Sequence, residues 1–256
     1  MTTPPKAIVL AAGRGERMRP LTDMVPKPLV KVAGKPLIEW QIDALARAGI
    51  REVVINTAWL EEQFPAALGD GSRWNLQIRY SHEGRRYGGA LETAGGIATA
   101  LPWLVDSDDA LFWVVSADIF APEFDFASPA VPAMRDNPTR LGHLWLVDNP
   151  PFHPVGDFGL DAQGNALADT VGPDGRRWTY SNLGLLRAGL FDGIAAGSRA
   201  PLGPLLFAAM RQRAISAEIY RGRWHNVGTP EQLDELDRLV SIEQAARASK
   251  PSVSAR

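Results

Sequence analysis

Short, nearly unbroken apolar runs alternate along this chain with longer stretches whose apolar residues return every three or four positions. Strands are expected at 7–10, 52–56, 76–81, 111–115, 141–147 and 215–220, and those at 7–10 and 111–115 are unbroken apolar runs. Strands buried on both faces of a parallel sheet have that texture. Between them, 36–49 carries helical spacing, opens with Pro36 in its first turn and closes with Gly49. Further helices are expected at about 58–68, from Glu92 to about Leu101 with a stop at Pro102, and at 201–213. Thr229 as cap, Pro230 as first helical residue and Gln232 three after the cap form a capping-box signature, predicting a helix to about Ala246.

Regular alternation of strand and helix predicts right-handed βαβ crossovers. The fold class is therefore α/β, a Rossmann-like mixed, mainly parallel sheet flanked by helices. Two regions depart from the alternation. Residues 125–139 hold three prolines and read as an irregular helix or loop. From 153 to 187 the texture changes to short strands with turns at 163–165 and 173–175, predicting a hairpin-rich region along one side of a cleft.

The densest candidate chemistry follows the first strand. Gly13 and Gly15 allow a backbone that can turn N–H groups toward phosphate oxygens, at the carboxyl end of a strand where open α/β sheets bind ligands. Arg14, Arg17, Arg19 and Lys27 add cations close by. A dinucleotide fingerprint would need Gly or Ala where Met18 stands and an acidic residue near the end of the second strand, where Asn56 stands. A Walker A loop is absent. Asp118, just after the apolar run 111–115, reaches the same sheet edge. A carboxylate there suits Mg²⁺, which takes oxygen ligands and keeps several waters; a turn or N-cap aspartate is the other reading.

Composition narrows the partners. At 256 residues, 45% hydrophobic and with a formal charge of −2, the chain has no field that would gather nucleic acid or anionic membrane. It has no cysteine, hence no disulfide or thiolate metal site, as befits a reducing compartment. The first residues are too few and too polar for a signal peptide, and no apolar run reaches membrane-spanning length, so a cytoplasmic location is expected. Residues 1–248 are read as one domain and 249–256 as a polar, disordered tail.

The segment Leu10-Ala11-Ala12-Gly13-Arg14-Gly15-Glu16-Arg17-Met18-Arg19-Pro20-Leu21-Thr22, with Pro26-Lys27-Pro28-Leu29 downstream, resembles the sugar-phosphate nucleotidylyltransferases. It looks most like the N-acetylmuramate-1-phosphate uridylyltransferases and mannose-1-phosphate guanylyltransferases, and the similarity extends over about residues 6–239. The resemblance implies a nucleotide-diphospho-sugar transferase fold. It also implies a reaction in which a sugar 1-phosphate oxygen attacks the α-phosphorus of a nucleoside triphosphate and pyrophosphate leaves.

A phosphate monoester is already ionised at neutral pH, its second pKa being about 6, so no general base is needed. The work is positioning and charge neutralisation. The resemblance implies Lys27, Arg17 and Asp118 as catalytic residues, with the backbone of Ala11, Ala12, Gly13 and Gly15, and Arg14, on the nucleotide. Gly95 and Gly96 are expected against its base, with a helix packed closely on a strand as the competing reading. Asp157 and Asn182 are expected on the sugar, with turn stabilisation as the alternative. Asp118 and Asn226 are expected on Mg²⁺; relatives usually carry Asp at the second position, and Asn brings an oxygen without a charge, with a loop Asn that stabilises a turn as the other reading.

The best match to these motifs is UTP with N-acetylmuramate 1-phosphate, giving UDP-N-acetylmuramate in cell-wall sugar recycling. Guanylyl or thymidylyl transfer to mannose or glucose 1-phosphate uses the same motifs. A regulatory subunit without chemistry is suggested by Asn226 and by Ser116-Ala117, where the family commonly shows Asn-Gly, but Lys27 and Asp118 stand against it. The expected partners are a nucleoside triphosphate and a sugar 1-phosphate, in a monomer or homodimer.

Overall fold

The computed structural model describes residues 3–106 and 110–248; the tail expected at 249–256 lies outside the described residues. Seven strands form the main sheet: β1 (Lys6–Leu10), β2 (Glu52–Thr57), β3 (Gln77–His82), β4 (Leu111–Ser116), β5 (Gly142–Val147), β6 (Thr179–Arg187) and β7 (Ile215–Ile219). Their order is β7-β5-β6-β4-β1-β2-β3. All neighbours are parallel except where β6 runs antiparallel between β4 and β5. The expected mixed, mainly parallel sheet is thus present.

Side chains along a strand alternate between faces, and in the central strands β1 and β4 both faces are buried. Ala7, Val9, Trp113 and Val115 enter one core with Ile38, Ile42 and Leu45 of helix α1 (Leu37–Arg47). Ile8, Phe112 and Val114 enter the other, with Ala94, Ile97 and Ala100. Each large side chain so buried contributes about 1.5–3 kcal/mol, which is why the apolar runs are continuous rather than alternating.

Apart from a single α-helical turn at Leu21–Met24, the remaining α-helices among the described residues are α2 (Gln63–Leu68), α3 (Glu83–Tyr87), α4 (Glu92–Leu104), α5 (Ala130–Asp136), α6 (Leu202–Arg211) and α7 (Pro230–Ala248). Three expectations are corrected, and one helix, α3, has no counterpart among them. The helix expected over 58–68 starts only at Gln63, because Leu60 takes a left-handed φ of 47° and breaks the preceding turn. Pro102 does not stop α4, which runs on to Leu104; proline in a last turn forfeits a single backbone bond. Helix α3 falls within a stretch that shows no helical periodicity. The last nine residues of the hairpin-rich region form the single strand β6, and only Gly159–Leu160 with Ala166–Leu167 forms a hairpin there.

Helix α7 closes the structure over the first loop. Leu233, Leu236 and Val240 pack with Met18, Val32, Leu37, Phe120 and Val227 in a third core. The capping box is present in altered form. Thr229 Oγ1 accepts from Gln232 N at 3.4 Å, while Gln232 Oε1 accepts from Gly228 N at 2.7 Å.

Candidate active site

The loop after β1 leaves the sheet beside the end of β4, to which Leu10 O is joined by Ala117 N at 3.0 Å. Gly15 has a φ of 67°, and a Cβ there would lie 3.1 Å from Lys27 Cβ and 3.2 Å from Thr22 Cγ2. Glycine meets both the turn and the crowding. Gly13 differs: a Cβ would meet nothing within 4 Å, so its backbone stands open to the cavity. Met18, wholly buried, and the bond from Thr22 Oγ1 to Gly15 O (2.9 Å) anchor the far side of the loop.

Lys27 and Asp118 meet across this loop, Nζ to Oδ2 at 2.8 Å, with side-chain exposures of 10% and 32%. A short antiparallel pairing, Ile119–Phe120 with His225–Asn226, then brings Asn226 beside Asp118; Val227 N donates to Asp118 O at 2.9 Å. Asp118 Oδ1 and Asn226 Oδ1 are both buried without a hydrogen-bond partner. Orphaned oxygens are costly, and an oxygen-seeking cation would satisfy both. Among the described residues no three His, Cys, Asp or Glu side chains gather as a metal cluster. The donor set therefore fits an ion such as Mg²⁺ that completes its shell with phosphates and water rather than one caged by protein.

Two cavities of about 520 and 590 Å³ adjoin here. The first contains Ala11, Ala12, Gly13, Arg14, Gly15, Arg17, Lys27 and Asp118. The second contains Asp157, Asn182 and Asn226. Leu10, Arg17, Glu92, Thr93 and Ser116 belong to both and form the junction. Arg17 is exposed and forms no ion pair or side-chain hydrogen bond among the described residues, and Gly228 gives it room: a Cβ there would lie 3.3 Å from its Nη2. It is a free cation where a polyanion would lie.

The other basic residues differ. Arg14 lines the first cavity but donates to Thr22 O at 2.7 Å and to Asp23 at 2.6 Å, and stacks 3.7 Å over Trp59. Its guanidinium shapes the loop. Arg19 pairs with Asp23 at 3.3 Å and lines neither cavity.

In the second cavity, Asp157 is already engaged: Oδ2 accepts from Tyr180 N at 2.7 Å and Oδ1 faces His153 Nε2 at 3.1 Å. The turn-stabilising reading describes its carboxylate. Asn182 has a φ of 62° inside the register shift between Tyr180 and Gly184, a bulge that turns its amide, which has no hydrogen-bond partner among the described residues, to the cavity.

Gly95 and Gly96 are corrected. They lie inside α4, are buried and line neither cavity. A Cβ on Gly95 would fall 2.1 Å from Ser198 O; one on Gly96 would fall 2.5 Å from Glu83 Oε1 and 2.8 Å from Asn56 Nδ2. Their smallness serves close packing, and the cavity wall on that side is Ala90, Glu92 and Thr93. Glu92 was not foreseen: it is exposed, has a φ of 60° and sits at the junction. A left-handed glutamate leaves no trace in sequence pattern. Asn56, also unforeseen as a site residue, lines the first cavity while its Oδ1 accepts from Ala11 N at 2.9 Å. Burial pushes the Glu83 carboxyl above the usual carboxylate range, opposed by hydrogen bonds from Leu91 N–H and the Asn56 amide.

Residues 6–147 match the nucleotidyl transferase family. The chain is 47% identical over 92% of its length, and 98% of the relative's, to the N-acetylmuramate alpha-1-phosphate uridylyltransferase of Neisseria meningitidis serogroup B. It is 36% identical to the protein of that name from Caulobacter vibrioides, over 64% of this chain and 68% of that one. Identity is also 36% to the catalytic subunit beta of mannose-1-phosphate guanylyltransferase from Danio rerio, over 47% of this chain and 32% of the relative. Among solved structures, a Bacillus anthracis protein described as a glucose-1-phosphate thymidylyltransferase, in complex with a sucrose, superposes with a TM-score of 0.75. At 17% identity, over 92% of this chain and 95% of that one, the likeness is one of fold.

Proposed function

The chain belongs to the nucleotidyl transferase family and is a sugar-1-phosphate nucleotidylyltransferase, and we propose that it joins UTP to N-acetylmuramate 1-phosphate, giving UDP-N-acetylmuramate and pyrophosphate. The observation that carries transfer between two bound substrates is the pair of adjoining cavities sharing Arg17 and Ser116, with Lys27 and Asp118 on the wall of the first. The choice of base and sugar is supported by the Neisseria relative, which aligns over nearly its whole length.

In this reading the nucleotide occupies the first cavity and the sugar the second. The open backbone from Ala11 to Gly15 and the unpaired Arg17 receive the triphosphate, and Lys27, held beside Asp118, meets the α-phosphate or the sugar phosphate. Asp118 and Asn226 would hold Mg²⁺, which when bound offsets negative charge on the phosphates. Asn182 meets the sugar. Such residues gain most where charge shifts from attacking to leaving oxygen, because their dipoles and charges are already in place. The reaction returns a cell-wall sugar to its nucleotide-activated form, in the cytoplasm, where UTP is held.

A pyrophosphate-release screen pairing UTP, GTP and dTTP with N-acetylmuramate, mannose and glucose 1-phosphates tests the reading. UTP with N-acetylmuramate 1-phosphate should be the fastest pair. Faster turnover with GTP than with UTP would reverse the assignment of the base.

A further inference from the structure

Glu83 is wholly buried, acidic, and outside both cavities. Its two oxygens nevertheless reach both walls of the first cavity. Oε2 accepts from Leu91 N at 2.8 Å, within the segment that supplies Ala90, Glu92 and Thr93. Oε1 accepts from Asn56 Nδ2 at 2.7 Å, and Asn56 Oδ1 accepts from Ala11 N on the opposite wall. The amide orientation follows from chemistry: Ala11 N–H can only donate, so the oxygen of Asn56 faces it and the nitrogen faces Glu83. Gly96 makes the chain possible, since a Cβ there would occupy the place of Glu83 Oε1 and Asn56 Nδ2.

We propose that Glu83 is a positioning residue for the nucleotide, holding the Ala11–Ala12 wall and the Ala90–Thr93 wall at a fixed separation through Asn56 and the Leu91 amide. The inference rests on the reading that the first cavity takes the nucleotide. A carboxylate suits the place because both of its neighbours are donors. A side chain that accepts at only one end leaves a buried donor facing a donor, and the walls move to relieve it.

The hydrogen-bond pattern supplies its own rescue. In Glu83→Gln, whichever way the new amide turns, its NH₂ meets either Asn56 Nδ2 or Leu91 N–H. In Asn56→Asp, two carboxylates face each other. In the double variant Asp at 56 accepts from both Ala11 N and Gln Nε2, Gln Oε1 accepts from Leu91 N, and all three bonds return with the middle one reversed.

The experiment measures KM for nucleotide, KM for N-acetylmuramate 1-phosphate, and kcat in the wild type, both single variants and the double. UTP, GTP and dTTP are run in parallel, with thermal unfolding of each protein. Each single variant should raise nucleotide KM about tenfold while sugar-phosphate KM stays within about twofold, and the double should return to within about twofold of wild type. If Glu83→Gln does not fold, Asn56→Asp against the double makes the same comparison. An unchanged nucleotide KM in a folded single variant, a double variant without recovery, or an equal rise for both substrates would overturn the proposal. A purely structural role would shift unfolding without separating the two KM values. A wrong base shows itself differently, as wild-type preference for another triphosphate.

Discussion

Lys27→Met separates chemistry from stability at this site. Methionine keeps the unbranched stem that packs beside Gly15 and removes only the ammonium, whose Nζ lies 2.8 Å from Asp118 Oδ2. At that distance the gross attraction is about 1.5 kcal/mol in bulk water and about 6 kcal/mol at an effective dielectric near 20. Desolvation of the lysine, 10% exposed, opposes it, and Asp118 at 32% exposure keeps access to water. The net loss of stability should be about 1 kcal/mol, a fall in Tm of roughly 2–4 °C for a protein of this size. Loss of one preorganised charge on the reacting phosphates should cost ~10²–10³ in kcat, equivalent to about 2.7–4 kcal/mol. Pyrophosphate release coupled to a pyrophosphatase reads the loss in kcat, and urea unfolding of the same preparation reads the loss of stability. A fall in kcat below tenfold, or a stability loss as large as the catalytic one, would refute the assignment and leave Lys27 as a structural partner of Asp118.

Asn226→Asp should lower the half-saturating Mg²⁺ concentration of the initial rate, roughly three- to tenfold, because it puts a charge on the second orphaned oxygen; an unchanged value would leave Asn226 its loop-forming role before α7. Gly95→Ala should destabilise by about 1–3 kcal/mol or more in urea unfolding, since its Cβ would be driven onto Ser198 O; normal stability with a raised nucleotide KM would restore the base-contact reading. Asn182→Gly keeps the left-handed backbone and removes the amide, so KM for the sugar phosphate should rise about tenfold with little change in stability; an unchanged KM removes Asn182 from the sugar side. Burial and nearby Arg140 hold the His143 imidazole down to about 4, even with the Glu218 carboxylate 3.8 Å away. The unfolded chain, with a histidine pKa near ~6.5, then binds the proton first. Stability should be full above about pH 6.5 and fall by up to about 3 kcal/mol toward pH 4. Urea unfolding across that range, against His143→Gln, checks it: an equally steep fall in the variant would assign the loss to other groups.

Where the chemistry depends on residues close together in the chain, it was legible in the sequence. Short apolar or alternating stretches bounded by turn formers identified six strands of the sheet, and β1 and β4 are continuous runs because both of their faces are buried. The loop after β1 could be read as a phosphate grip because one local turn presents Gly13, Gly15 and Arg17 together, and Lys27 follows within the same segment. The Thr229 cap is likewise a local bargain between a hydroxyl and nearby amides.

Tertiary structure decided what depends on neighbours distant in sequence. Strand β6 lies among alternating turns and glycines, and its place between β4 and β5 is fixed by pairing rather than by its own periodicity. The two glycines of α4 look identical in a sequence whether they face a base or a packed backbone; Ser198 O and the Glu83 carboxylate, 103 and 13 positions away, settle the matter by filling their space. Arg14 and Arg17 carry the same side chain three residues apart, yet Trp59 and Asp23 bind one and leave the other free. Local sequence sets backbone preference and side-chain type, whereas which polar groups remain unpaired depends on the assembled fold, and those unpaired groups line the site.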